Sequence, residues 1–257
     1  LLEADSAIQK LQEQRATLPL ELGRLGSEIN YNREDYDRAL DLARVLTETG
    51  EAKDHLWVGW LQTLNHEFED AEVSLTKAAD LNPEEPDAWI TLVRCLLMAG
   101  KPDAAEKTME EALTKIKPES RESTQAECLK MMGKIEQAIV MYREAIEADN
   151  VSPAVLRSAA RFFAILPETY DDAQAILERF VSGELGSEQR LLETLQWARY
   201  DLARILSEQE YGSFLRAIEL VDLNLAENPD SIDDLRLRAR LFATRGTLAQ
   251  QEEAMSI

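Results

Sequence analysis

The chain is poor in the residues that punctuate loops. Its 257 residues include 10 glycines and 8 prolines, together about 7% against a usual ~12%. That scarcity argues against a β-sandwich, a collagen-like chain or a flexible linker. Only two cysteines occur, Cys95 and Cys128. Their spacing suits neither a zinc motif nor a disulfide framework, so both are expected as reduced core thiols. The two histidines, His55 and His66, stand without an HExxH pattern, and no GxGxxG, GxxxxGK or GxSxG occurs to cradle a phosphate or aim a nucleophile. No EF-hand loop is present either. The acidic pairs Glu84-Glu85 and Asp171-Asp172 fall at predicted helix starts, where they favour the positive end of the dipole rather than a metal ion. The expectation is a protein that is not an enzyme, with no catalytic residue, no metal and no cofactor. No apolar run reaches the roughly 18 residues that span a bilayer, so no membrane segment is expected.

Negative charge is abundant: 49 acidic against 28 basic side chains give a net charge of −21. With 45% hydrophobic residues the chain can still bury a core, so acidity here does not imply disorder. A sequence pI near 4.5 repels nucleic acid and anionic lipid, and neither is an expected partner. Arg236, Arg238, Arg240 and Arg245 form the one basic cluster, read as a solvated face with an acidic partner as the alternative. The start, Leu1-Leu2-Glu3-Ala4-Asp5, has no Met, no basic region and no signal-type cleavage site. The true start is expected upstream, and the cytoplasm is the favoured compartment.

The pattern repeats. Alanines that follow an acidic or polar turn recur at Ala39, Ala71, Ala105, Ala138, Ala173 and Ala217, with gaps of 32, 34, 33, 35 and 44 residues. A second set stands seven residues later, at Leu46, Ala78, Ala112, Ala145, Phe180 and Asn224. Within a repeat the local signals give two helices. Over 86–99, Trp89, Leu92, Val93, Leu96 and Leu97 fall on one helical stripe. Gly100 can end that helix in a left-handed conformation, and Pro102 suits the first turn of the next. The partner helix over 102–116 sets Ala105, Met109, Ala112, Leu113 and Ile116 on one face. Ser152-Pro153 reads as a cap and a helix start. No segment alternates like a strand.

These units resemble the tetratricopeptide repeat, a 34-residue helix–turn–helix. The resemblance rests on Asp87-Ala88-Trp89, Gly100, Ala105, Met109 and Ala112, and on Gly133 through Ala138 followed by Tyr142 and Ala145. The family's Leu-Gly pair in the first helix reads Leu92-Val93 here, and only Gly59 follows that pattern. The resemblance implies an all-α, right-handed superhelical solenoid of antiparallel helix pairs. Repeats are expected at 20–51, 52–85, 86–118, 119–152 and 153–184, with an insertion in 185–230 and an incomplete repeat at 231–257. The insertion is placed in a lengthened helix at about 187–209, carrying Leu191, Leu195, Ala198, Leu202 and Ile205. Residues 1–19 hold a half repeat, its second helix at 3–16, so the chain is expected to be a piece of a longer array.

The resemblance also implies where a partner binds. In the family the first helices line a concave side, and ligands meet the second, fifth, ninth, twelfth and thirteenth positions of each repeat. The candidates are Leu56, Trp60, Thr63 and Leu64; Ile90, Arg94, Leu97 and Met98; and Phe162, Ile165 and Leu166. The fourth repeat offers Ser123, Glu127, Lys130 and Met131, and the first Arg24, Glu28, Tyr31 and Asn32. An apolar channel with a central arginine suits an amphipathic helix or extended peptide. The expected function is a protein-interaction scaffold. The alternatives are a regulatory or substrate-recruiting segment of a larger enzyme and self-association through edge helices. The family's chaperone-binding members hold a C-terminal carboxylate in a Lys/Asn/Lys/Arg clamp, but the corresponding places here carry Arg24, Glu28, Trp57, Asp87 and Thr91. Chaperone-tail binding is therefore disfavoured.

Overall fold

A computed structural model describes residues 19–147, 151–184, 192–209 and 213–254, and among these every regular element is a helix. The chain divides into two compact units, Leu1–Ala145 and Ile146–Ile257. In the first unit α1 (Leu20–Tyr31) pairs with α2 (Tyr36–Ala43), which tightens into a 3-10 stretch over Arg44–Thr49. Next come α3 (Ala52–Leu64) with α4 (Phe68–Leu81), and α5 (Pro86–Met98) with α6 (Pro102–Lys115). The last pair is α7 (Arg121–Met131) with α8 (Ile135–Glu147). Pro86 and Pro102 occupy the first turn of their helices, where a missing N–H costs no hydrogen bond.

All four pairs of the first unit turn in the same way. The amides of Asp35, Glu67, Lys101 and Lys134 donate to the carbonyls of Asn30, Gln62, Leu96 and Leu129 at 2.8–3.0 Å. One residue earlier, the amides of Glu34, His66, Gly100 and Gly133 donate to Tyr31, Thr63, Leu97 and Lys130 at 2.9–3.1 Å. This double bond pattern satisfies carbonyls left open at a helix end, and it requires a left-handed residue. Gly100 and Gly133 hold it at φ 73°, but Glu34 and His66 occupy it at 63° and 60° with a Cβ in place. His66 thus lies in the turn beyond the helix that carries His55.

The two recurring columns are the core. Ala39, Ala71, Ala105, Ala138, Ala173 and Ala217 are each fully buried, and their seven-residue followers from Leu46 to Asn224 are buried as well. Small side chains bring paired helices close. The limit is Gly59, where an added Cβ would sit 2.6 Å from Leu75 Cγ. Cys95 and Cys128 are free thiols inside this core; burial raises both, Cys128 to about 12.

The second unit begins with α9 (Pro153–Phe163), whose N-cap Ser152 accepts a bond from the Val155 amide at 3.3 Å. A 3-10 turn at Pro167–Thr169 leads to α10 (Tyr170–Ser182). Then follow α11 (Leu192–Glu208), α12 (Phe214–Glu227), α13 (Ile232–Arg245) and α14 (Leu248–Ala254). At 17 residues α11 is the longest described helix, and it buries Ala198, Leu202 and Ile205 while leaving Leu195 half-buried. Leu191 and the helix expected at 3–16 lie outside the described residues. Asn224 stands where other repeats carry an apolar residue, and its amide donates to Gln196 O at 2.9 Å and Asp234 Oδ1 at 3.0 Å. The arginines of α13 differ from the expected solvated face. Arg238 meets Asp222 at 3.0 Å and Arg240 meets Glu208 at 3.5 Å, while Arg245 donates to Gln209 O at 3.1 Å. Three of the four therefore tie α13 to its neighbours.

Replacing Glu34 by Gly should stabilise the protein by about 0.5–1 kcal/mol, because it removes left-handed strain at an exposed site. Gly100→Ala, in open space but at φ 73°, should cost about 1 kcal/mol. Urea midpoints at constant slope would show the two opposite shifts.

Candidate functional site

In the first unit α3 and α5 lie side by side and enclose a cleft of about 390 Å³. Its walls are Lys53, Leu56, Trp57 and Trp60 from α3, with Asp87, Ile90, Thr91 and Arg94 from α5. Leu56, Trp60, Ile90 and Arg94 stand four residues apart along each helix, so each pair lies on one face. Across the cleft the Arg94 guanidinium sits 5.5 Å above the Trp60 ring. One end of the guanidinium faces Glu127 at 3.9 Å, and the stacked geometry directs its other edge donors outward, toward a carboxylate or a carbonyl. The lining is mostly apolar, and Lys53 and Asp87 add opposite charges to it.

Neighbouring side chains fix the cleft. Trp57 donates its indole N–H to Ser27 Oγ at 2.8 Å and meets the Tyr31 ring edge-on at 5.1 Å. Arg24 is held by the buried Asp54 carboxylate at 2.6 Å, and this bond raises its guanidinium above the usual arginine value. Arg24 is therefore committed inside the first unit. Thr63 is fully buried and donates to Gly59 O at 2.8 Å, so it does not face a ligand. Leu64 and Met98 lie one turn past Trp60 and Arg94, at the helix ends, and are not part of the cleft wall.

A model of the tetratricopeptide repeat family matches residues 63–122. Yeast Tom70 superposes with a TM-score of 0.60 over 91% of this chain and 50% of its own, at 22% identity. Pseudomonas aeruginosa pilF superposes at 0.51 over 80% of this chain and 87% of its own, at 18% identity. Residues 63–122 are thus similar in sequence to the tetratricopeptide repeat family, and the all-helical fold is similar to those of these solved structures. A stretch of 111 residues, 40% of the chain, is 28% identical to cellulose synthase operon protein C of Pseudomonas fluorescens SBW25. That match spans only 9% of the relative's length. Tetratricopeptide repeats are generally a non-catalytic fold that binds protein partners.

The repeat register corrects one expected site residue. Phe162 is 2% exposed and packs in the core, so it offers nothing to a ligand. Counting nine from the repeat starts 52, 86, 119 and 153 gives Trp60, Arg94, Glu127 and Arg161. In the fifth repeat the ninth place is thus Arg161, one residue before Phe162, and one step along a helix turns a side chain by about 100°. Arg161 is exposed where Phe162 is buried. Ile165 lies in the turn after α9 at 68% exposure, and Leu166 is half-buried before Pro167.

Glu127 is a hub behind Arg94. It accepts from Lys130 Nζ and from the buried Tyr142 hydroxyl, both at 2.6 Å, and lies 3.9 Å from Arg94. Burial works to raise its carboxyl, but the bonds from Lys130 and Tyr142 and the charges of Lys130 and Arg94 outweigh it, holding Glu127 below the usual range. The Tyr142 phenol moves the other way, raised by burial and by Glu127 itself. A depressed folded value means that the stability Glu127 contributes is present above its unfolded value of about 4.3. It is lost as the pH falls through the folded value. Glu127→Gln should therefore be less stable than wild type at neutral pH, and the gap should shrink as the pH drops below about 4.3. Urea unfolding across that range would show it, and a gap independent of pH would contradict the assignment.

Proposed function

We propose that this protein is a non-catalytic scaffold that holds a peptide or helix of a partner protein on its first helices, with the α3–α5 cleft as a principal contact. The observation that carries this reading is the meeting of Leu56, Trp60, Ile90 and Arg94 in one cleft. Burial of the ligand's apolar side chain against Leu56, Trp60 and Ile90 supplies affinity. Arg94, already oriented over Trp60, pairs with a ligand carboxylate or carbonyl and fixes its register. Leu64 and Met98, beyond the cleft wall, would extend the contact along the same two helices. Aromatic and Arg anchors of this kind dominate the energetics of such interfaces.

A second reading, a recruiting or regulatory segment of a larger enzyme or its assembly, is favoured by one observation. The stretch matched in the cellulose synthase operon protein spans 9% of that relative. Both readings use the same cleft and differ in whether the partner is a separate chain.

The test is to select peptides on the wild-type protein from a displayed library and to measure their affinity for variants. Trp60→Glu should weaken the selected peptides by about 2 kcal/mol, roughly 30-fold, with helicity unchanged by circular dichroism. Arg94→Ala should weaken most those peptides that carry an acidic residue. Peptides that bind the Trp60→Glu protein as tightly as wild type would move the site elsewhere.

A further inference from the structure

The cations of this chain are unevenly chosen. All nine lysines lie at or before Lys134, whereas the second unit contains eleven arginines and no lysine. Arginine differs from lysine in its planar fork of donors and its ability to stack on a ring. Most of the second unit's described arginines are consumed internally. Arg179 pairs with Glu184 at 3.3 Å and Arg199 with Glu227 at 3.0 Å, while Arg216 meets Glu178 and Glu219. Arg204 is paired with Asp201 and Glu208 and also donates to Ala164 O. Arg238, Arg240 and Arg245 bind α13 to its neighbours, as described above.

Arg157 and Arg161 differ. They stand four residues apart on α9, hence on one face, where two like charges repel. Among the described residues neither is in an ion pair, although the chain carries 49 acidic side chains. Arg157 Nε is shut off from solvent and has no hydrogen-bond partner. Arg161 is exposed, with its guanidinium 5.1 Å above the Trp197 ring of α11. Trp197 is braced in turn, meeting Phe180 edge-on at 5.7 Å. The acid nearest in influence, Asp201, is taken by Arg204 and by the Trp197 indole. One turn beyond Arg161, Ile165 is 68% exposed. The surface therefore reads guanidinium, guanidinium, then an apolar side chain in the turn beyond the helix. The Arg161–Trp197 platform has the same construction as Arg94–Trp60 in the first unit.

We propose that the α9 face carrying Arg157 and Arg161, with Ile165 in the turn that follows, is a docking surface for an acidic amphipathic segment of a partner protein, one with carboxylates a helical turn apart followed by an apolar residue. The partner's carboxylates supply the counterions that the fold withholds. Arg161, stacked on Trp197, presents its free edge for a two-point bond, and Ile165 receives the apolar side chain. The proposal rests on the reading that partner segments lie on the first helices and names the chemistry of the segment for the second unit, where its residues are distinct from those of the α3–α5 cleft.

The probe is a labelled alanine-based helical peptide with two glutamates four residues apart and a leucine one turn on, alongside its twin with glutamines. Fluorescence anisotropy at low and at about 0.15 M salt should show that the glutamate peptide binds and its twin does not, with affinity falling as salt rises. Arg157→Ala with Arg161→Ala should weaken binding about tenfold or more. Arg157→Lys with Arg161→Lys keeps the charge without the planar fork, so it should fall between the two. Arg94→Ala should leave the affinity unchanged, which separates this surface from the cleft. Equal binding of the two peptides, or no binding at millimolar concentration, would overturn the proposal, even if the alanine variant failed to fold. An affinity unmoved by the double alanine substitution would overturn it as well. A dimer in sedimentation that the substitutions split would assign the face to a second copy of this chain instead.

Discussion

Everything in this structure depends on how closely two consecutive helices can approach. On the second helix of each pair the buried face carries a recurring alanine, from Ala39 to Ala217. At Gly59 there is no room even for a methyl group before Leu75. Close approach removes the paired faces from water along their length, and it fixes which residues are left to face outward. The columns from Ala39 to Ala217 and from Leu46 to Asn224 are therefore the frame on which the exposed residues are arranged.

The turn inside each pair is the second constraint. A shared pattern of two hydrogen bonds around a left-handed residue sets the angle at which the chain re-enters the stack in all four pairs of the first unit. Glycine suits that residue at Gly100 and Gly133. At Glu34 and His66 the same geometry persists with a side chain attached, because the packed columns on either side over-determine it. The second unit makes its first turn differently, through Ile165, Leu166 and a 3-10 turn at Pro167–Thr169, and the buried Thr169 hydroxyl donates to Phe163 O at 2.9 Å.

On this frame charge is spent in two ways. Some groups serve the fold: Asp54 holds Arg24, Glu127 gathers Lys130 and Tyr142, and the arginines of α13 reach back to earlier helices. Others remain turned outward on aromatic platforms, Arg94 on Trp60 and Arg161 on Trp197. A guanidinium stacked on an indole is ordered before any ligand arrives, so less side-chain freedom remains to be lost on binding. That shared construction is the physical basis for reading both places as contacts for another protein.

The sequence by itself determined the helices, their pairing and the buried columns, because a repeat of about 34 residues restates the same packing rule many times over. It also located Leu56, Trp60, Ile90 and Arg94, whose spacing sets each pair on one face whatever the neighbours do. It did not distinguish Phe162 from Arg161, since a bulky apolar residue and an arginine are both plausible on a binding face and a one-residue slip in register exchanges core for surface. Nor could it tell which arginines are occupied. Arg204 has Asp201 and Glu208 at local helical spacing, but Arg24 and Arg240 look no different from Arg157 and Arg161 in one dimension. Only the tertiary structure brings Asp54 to Arg24 and Glu208 to Arg240, and leaves Arg157 and Arg161 outside any ion pair among the described residues. Charge pairing between helices is set by three-dimensional neighbours tens of residues apart, and no local pattern records it.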